Sequence, residues 1–283
     1  MKTGLILEGG AMRGLFTAGV MDVLMEHQIT VDGMIGVSAG AAFGCNFKSK
    51  QIGRVLRYNK RFCKDPRFCS FRSLIKTGDL YGADFCYREL PEELDIFDNE
   101  GFAKDPTKFY VVCTDTESGK AVYERLERSD GEALDWLRAS ASMPLVSTPV
   151  VIGDKKLLDG GIADSVPVRY FESLGYDRNI IVLTQPKGYQ KKKNNLLPLM
   201  KAVLKQYPAV VEAMARRHTV YNETLEYIEK LEKEGHALVI RPPQKLEVGH
   251  VEHNADRLQA AYDIGRQVAL SRLEEIKEFL MRG

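Results

Sequence analysis

Little in this sequence biases the chain toward a highly charged partner. Forty Lys and Arg residues stand against 39 Asp and Glu, a formal net charge of +1, so no global field draws it to nucleic acid or any other polyanion. Cysteine is sparse as well. Cys45, Cys63, Cys69, Cys86 and Cys113 form an odd set with no CxxC pair and no histidine beside them at ligand spacing, which argues against a disulfide framework or a structural zinc site and predicts reduced thiols. Long apolar runs are missing too. No stretch reaches the roughly 20 residues of a membrane span, and Leu5-Ile6-Leu7 ends at Glu8, too short for the core of a secretory signal. The expectation is a soluble, cytoplasmic protein without internal repeats, and its oligomeric state is not legible.

What is present is ample material for a core: 283 residues, 44% of them apolar, enough for one large α/β domain or two small ones. Leu5-Ile6-Leu7 runs into Gly9-Gly10, after which Leu15, Phe16, Gly19, Val20, Val23 and Leu24 recur at helical spacing, giving strand, turn and helix. Residues 30–37 form a second strand, closed by Gly36-Val37-Ser38-Ala39-Gly40 and followed by a small-residue helix. Strand–helix–strand order predicts a mainly parallel sheet with helices on both faces. Further strands are expected at 109–114 and 121–123, at 149–152 and 156–158 around a Gly153-Asp154 turn, and at 179–183. A helix is expected over 131–140, capped by Asp130, and a long one over 254–280. The lysine-rich run at 186–195 is predicted to be an exposed connector. The region 196–283 is predicted mostly helical, with the apolar stretch 237–240 as a strand that rejoins the sheet.

Three local patterns carry chemistry. Gly36-Val37-Ser38-Ala39-Gly40 fits G-x-S-x-G, in which flanking glycines, here Gly36 and Gly40, let a serine sit on a tight strand-to-helix turn; taken alone it equally marks an ordinary strand–helix junction. Gly9-Gly10-Ala11-Met12-Arg13-Gly14 offers a run of backbone N–H groups at a helix start, where negative charge is favoured. It is no nucleotide loop. Leu15 follows Gly14 where a P-loop needs Lys, Ala11 replaces the middle glycine of the dinucleotide fingerprint, and the second strand ends in Ser38 rather than an acid, so no cofactor is expected. Third, Asp159-Gly160-Gly161 places a carboxylate at a strand end, a pattern that on its own is usually just a turn.

In this order the three patterns resemble the patatin-like phospholipase family, and the resemblance covers residues 5–185. It extends to Ala139-Ser140-Ala141-Ser142-Met143-Pro144, similar to the serine-rich segment of that family. It implies a patatin-like three-layer fold and a serine acyl hydrolase with Ser38 as nucleophile, Asp159 as base and an oxyanion hole around Gly9, Gly10, Ala11, Arg13 and Gly14. It also implies a lipid or acyl-ester substrate and no metal. Ala11 departs from the usual third glycine, and alanine is expected to need an ordinary φ there.

Two other readings stay open. A Ser-Asp-His triad is permitted by chain order, since His218, His236, His250 and His253 all follow Asp159. A non-catalytic lipid-binding protein on the same fold is the other. An aspartate base would need burial to raise its pKa toward neutrality. Finally, the stretch 48–76, bounded by Lys48 and Lys76, holds ten Lys or Arg against one acid, Asp65, with Tyr58, Phe62, Phe68 and Phe71 interleaved. It is either a solvated flank of the core or a patch for peripheral contact with an anionic membrane.

Overall fold

The computed structural model describes residues 1–281. Its frame is a sheet of β1 (Lys2–Leu7), β2 (Gly33–Val37), β3 (Lys108–Asp115), β4 (Ala121–Leu126), β5 (Val150–Ile152), β6 (Lys155–Asp159), β7 (Tyr176–Val182) and β8 (Ala237–Ile240). The lateral order is β5-β6-β3-β2-β1-β7-β8, with β4 also on β3. Strands β3, β2, β1, β7 and β8 run parallel, whereas β4 and β6 enter antiparallel to β3. The helices are α1 (Gly14–Glu26), α2 (Ala39–Lys48), α3 (Arg54–Phe62), α4 (Phe71–Thr77), α5 (Asn99–Lys104) and α6 (Glu132–Ser140), then α7 (Val168–Ser173), α8 (Leu197–Val203), α9 (Pro208–Lys233), α10 (Ala255–Ser271) and α11 (Leu273–Met281). A π-helical stretch, Phe85–Leu94, contains Pro91.

The continuous apolar strands explain the three layers, because a strand buried on both faces has no polar side to alternate with. In β1, Leu5 and Leu7 enter one core with Phe16 of α1, Phe43 of α2, Trp136 of α6 and Leu258 of α10. Ile6 points the other way, to Ile35, Phe171 of α7, and Tyr221 and Ile228 of α9. The C-terminal region shares this frame: β8 pairs with β7 from Asn179↔Ala237 to Val182↔Ile240, and the Tyr262 hydroxyl of α10 donates to Asp22 of α1 at 2.6 Å.

Three local expectations are corrected. Strand β2 begins only at Gly33, because Asp32 is occupied with Thr3, accepting its N–H at 2.7 Å and its hydroxyl at 2.9 Å. Asp130 does not cap α6. Its carboxylate is held by Arg128, and Gly131, at φ 58°, starts the helix instead. The helix expected over 254–280 breaks at Arg272, whose guanidinium turns aside to the Val239 carbonyl and to Glu275. No helix among the described residues is long and apolar enough to cross a membrane.

Candidate active site

The site begins with a strand-pairing coincidence on β3. Strand β2 pairs with β3 as far as Val37↔Val112, and β6 pairs with the very next residues, Cys113↔Asp159 and Thr114↔Leu158. Since β4 occupies the opposite edge of β3 from Phe109 to Thr114, β2 and β6 share one edge. They run in opposite directions and meet with their C-terminal ends facing, which delivers Ser38 and Asp159 to the same point.

Ser38 sits at φ 56°, ψ −124°, a backbone state that costs a non-glycine residue about 1–3 kcal/mol and persists only where its surroundings enforce it. Here they do. Its N–H donates to Ser140 Oγ at 2.9 Å, and the Ser140 hydroxyl in turn donates to the Val112 carbonyl at 2.6 Å. The Ser38 carbonyl accepts from the N–H groups of Ala41 and Ala42, both at 2.9 Å. Although Ser38 precedes α2, its hydroxyl makes no capping bond, so it is left for chemistry. The turn also needs Gly40: a Cβ there would lie 2.3 Å from the Leu7 carbonyl oxygen, and one on Gly9 would lie 2.8 Å from Ser38 Cβ.

Asp159 is buried. Its N–H donates to the Ser142 carbonyl at 2.8 Å, and Oδ1 accepts the Gly161 N–H at 2.7 Å. Thus Ser140 fixes the serine and Ser142 fixes the aspartate, from two positions at the end of α6. Burial raises the Asp159 pKa; the facing Ser38 hydroxyl, the positive charge of Arg217 and the Gly161 N–H pull it part of the way back. Gly160 packs on the Val112 carbonyl, and the Gly161 carbonyl accepts from Ser165 Oγ and from Arg217 Nε.

The glycine loop closes the site from β1. Ala11 adopts φ 48°, so the expected ordinary φ is corrected: alanine holds the left-handed conformation that glycine would take more easily. The N–H groups of Arg13 and Gly14 are spent inside the turn, on the carbonyls of Gly10 and Ala11. Those of Gly9, Gly10 and Ala11 donate to no acceptor among the described residues and border the cavity that contains Ser38. Behind the loop lies Glu8, 4% exposed, accepting the Thr184 N–H at 2.6 Å and the Tyr221 hydroxyl at 2.6 Å. Nothing in the sequence pattern marked Glu8 as more than a strand end.

Ser38 and Asp159 open into a cavity of about 690 Å³, within the range of small-molecule pockets. Phe43, Tyr58, Phe68, Leu90, Leu137 and Leu145 give it apolar walls, while Arg13, Lys191 and Arg217 line it elsewhere. Lys191 corrects the reading of 186–195 as wholly exposed: it is turned inward, its Nζ 4.1 Å from the Tyr221 ring centroid. His218 and His250 also border the cavity, but neither hydrogen-bonds to Ser38 or Asp159. His253 Nδ1 contacts the Cys63 carbonyl, and His236 is exposed on the turn before β8.

The basic stretch 48–76 divides. Lys48 is buried on the carbonyls of Asp105 and Thr107, Arg54 on the Asp95 carbonyl and Asn46, Arg57 is bidentate to the Asp95 carboxylate at 2.8 Å, and Arg67 joins Asp65 and Glu89. These cations brace the fold. Exposed instead is α4, where Phe71 (78%) and Ile75 (85%) stand beside Arg72 and Lys76. Just beyond it, Leu80 donates its N–H to the Val146 carbonyl at 2.8 Å, and both residues line the cavity. Leu196, Leu199 and Val203, in and beside α8, are exposed as well, and Leu196 and Met200 border the cavity.

Several known proteins are similar to this chain. The chain is 27% identical over 286 residues to YjjU of Escherichia coli (strain K12), an alignment covering 94% of this chain and 75% of that protein. It is also 27% identical over 259 residues to lysophospholipase NTE1 of Coccidioides immitis (strain RS), covering 86% of this chain but only 16% of the larger protein. Among solved structures, VipD from Legionella pneumophila superposes with a TM-score of 0.49 at 10% identity, covering 97% of this chain and 67% of that one. A domain-of-unknown-function model matches residues 207–281. The patatin-like phospholipase model matches residues 5–172, a span that holds Ser38, Asp159 and the glycine loop, and the chain therefore belongs to the patatin-like phospholipase family.

Proposed function

We propose that this protein is a serine carboxylic-ester hydrolase of acyl lipids, of the phospholipase A or lysophospholipase type, working through a Ser38–Asp159 dyad and a covalent acyl-enzyme. The observation that carries the reading is the convergence of β2 and β6, which sets an uncapped serine hydroxyl before a buried carboxylate at an apolar cavity. Ser38 Oγ attacks the acyl carbonyl carbon while Asp159 takes its proton. The oxyanion forms beside the unspent amides of Gly9, Gly10 and Ala11, a donor set whose members are each worth about 3 kcal/mol in comparable sites. Collapse expels the alcohol with the proton returned by Asp159; water then attacks the acyl-enzyme, giving its proton to Asp159, and the fatty acid leaves Ser38.

The exposed apolar residues of α4 and α8 support peripheral contact with a membrane, by a route narrower than the whole basic stretch: Phe71 and Ile75 enter the interface while Arg72 and Lys76 meet anionic head groups.

The test is hydrolysis of a lipid panel by wild type and by Ser38→Ala, with products resolved by mass and Ser38 probed with a fluorophosphonate. Fatty acid release with wild type alone, blocked by the probe, is expected. Substantial turnover by clean, folded Ser38→Ala would refute the nucleophile. Single alanine replacements of His218, His236, His250 and His253 are each expected to keep at least a tenth of the activity; one as inactive as Ser38→Ala, yet folded, would instead favour a histidine-containing triad.

A further inference from the structure

Four cations that border the cavity, Arg13, Lys191, Lys192 and Arg217, form no ion pair among the described residues, and three of them, all but Lys192, are partly buried. Arg13, from the glycine loop, has a buried Nε with no hydrogen-bond partner. Lys191, from the connector, lies against Tyr221, and its backbone is clamped to α9 by Asn222, which accepts the Lys191 N–H at 2.8 Å and donates to its carbonyl at 3.1 Å. Arg217, on α9, donates to the Gly161 carbonyl beside the base. Among the described residues none of the three forms an ion pair. The nearby Glu8 carboxylate is already satisfied by the neutral donors of Thr184 and Tyr221.

Resting on the hydrolase reading above, we propose that Lys191 and Arg217, with Arg13, form a phosphate subsite that selects acyl esters carrying an anionic head group over neutral glycerides. Two of these cations come from outside the segment matched by the phospholipase model, and Arg217 and its neighbour Tyr221 fall within residues 207–281, the region matched by the domain of unknown function. That region thereby acquires a role: it supplies a polar wall to a cavity whose chemistry is built elsewhere. Mutual repulsion supports the geometry. Burial, first, and then Arg217 lower the Lys191 pKa to about 8, and the same cations, after burial, hold His250 below its ordinary value. A site that concentrates positive charge in a partly desolvated cleft is stabilised by an entering anion, and charge-assisted hydrogen bonds to phosphate are the strong kind.

The experiment compares two substrates with the same acyl chain, a monoacylglycerol and its phosphate monoester, by kcat/KM. Wild type is expected to favour the phosphate ester at least tenfold. Lys191→Met, which keeps the apolar stem over Tyr221, is expected to lower that ratio about tenfold, mainly through KM of the phosphate ester, and Lys191→Arg to restore most of it. Turnover of the monoacylglycerol by each variant reports that the site is still assembled. Equal kcat/KM for the two esters in wild type, or equal losses on both in Lys191→Met, would overturn the subsite while leaving the hydrolase reading intact. No Ser38-dependent turnover of either ester would instead strike the hydrolase reading. In a further arm, inorganic phosphate is titrated against monoacylglycerol hydrolysis. Inhibition that weakens in Lys191→Met, without preference between the esters, would assign the subsite to a free anion and overturn head-group selection.

Discussion

Asp159→Asn separates activity from stability, because the environment that would make Asp159 a useful base also makes its charge expensive. The replacement is isosteric, and its amide oxygen can still accept the Gly161 N–H that Asp159 Oδ1 accepts at 2.7 Å. What disappears is the proton acceptor, and general base catalysis contributes typically about 10²–10⁴ in rate, roughly 3–5 kcal/mol of barrier. Stability moves the opposite way. The folded pKa of Asp159 lies above the model-peptide 3.8, chiefly through burial, so the ionised carboxylate weakens the fold at every pH above the folded pKa. Each factor of ten by which burial weakens the acid corresponds to about 1.4 kcal/mol, and 1 kcal/mol moves Tm by roughly 2–4 °C in a chain of this order of size. Asp159→Asn is therefore expected to melt higher than wild type at pH 7–8. The difference should vanish below about pH 3, where the wild-type carboxyl is neutral in both folded and unfolded states. The wild-type pH–rate profile should rise through an apparent pKa above the ordinary aspartate value. The assays are ester hydrolysis by initial rate and calorimetric melting across pH. A variant with more than a tenth of wild-type activity, or one that melts lower than wild type at neutral pH and equally so at pH 3, would refute the reasoning.

Ser140→Ala should leave the Ser38 N–H without the acceptor it has at 2.9 Å, costing about 1–3 kcal/mol of stability and lowering kcat more than KM, as stopped-flow and melting measurements would show; unchanged kcat would remove Ser140 from the elbow. Phe71→Asp with Ile75→Asp should weaken sedimentation with anionic vesicles about a hundredfold or more, since burying two such side chains is worth about 3–6 kcal/mol, while hydrolysis of a soluble short-chain ester continues; equal loss on both substrates would argue for a structural role. Arg57→Glu should destabilise rather than merely detach the protein, because it sets a carboxylate against the nearly buried Asp95; an unaltered Tm with weaker vesicle binding would restore a membrane role for α3.

The meeting of Ser38 and Asp159 is legible because its constraints are local. A serine that must sit at positive φ between a strand and a helix leaves glycines beside it, and the order of glycine loop, G-x-S-x-G and Asp-Gly-Gly survives translation into sequence. The supporting contacts were less so. Ser140 and Ser142 stand in a segment that carries only a resemblance, and their separate duties, one bonded to Ser38 and one to Asp159, depend on the fold, which brings Ser140 to a residue 102 positions away. Lys191 departs from the expected exposed connector for a physical reason. A lysine in a run of lysines is ordinarily solvated, and only the ring of Tyr221, thirty residues later, gives it a reason to turn inward. The same limit applied to 48–76: counting charges could not reveal that Asp95 and Asp105, from distant loops, would absorb Arg54, Arg57 and Lys50.

The topology also bears on why a histidine would be dispensable. In a wholly parallel sheet the strands deliver their functional ends to one edge side by side, and a serine on one strand reaches an acid on another only across the width of the strands between them; an imidazole relay fills that gap. Here β6 enters antiparallel on the same edge of β3 as β2, so the gap is closed along the strand direction, between Val112 and Cys113. The acid then faces the serine directly, at the cost of being buried behind it. On the proposed dyad that burial would substitute for the imidazole, since it pushes the carboxyl pKa upward, toward the range where proton transfer from serine is workable at neutral pH. The arrangement explains the double fastening of the region by Ser140 and Ser142: with no intervening ring to adjust, an error in the position of either strand end would fall wholly on the distance between hydroxyl and carboxylate.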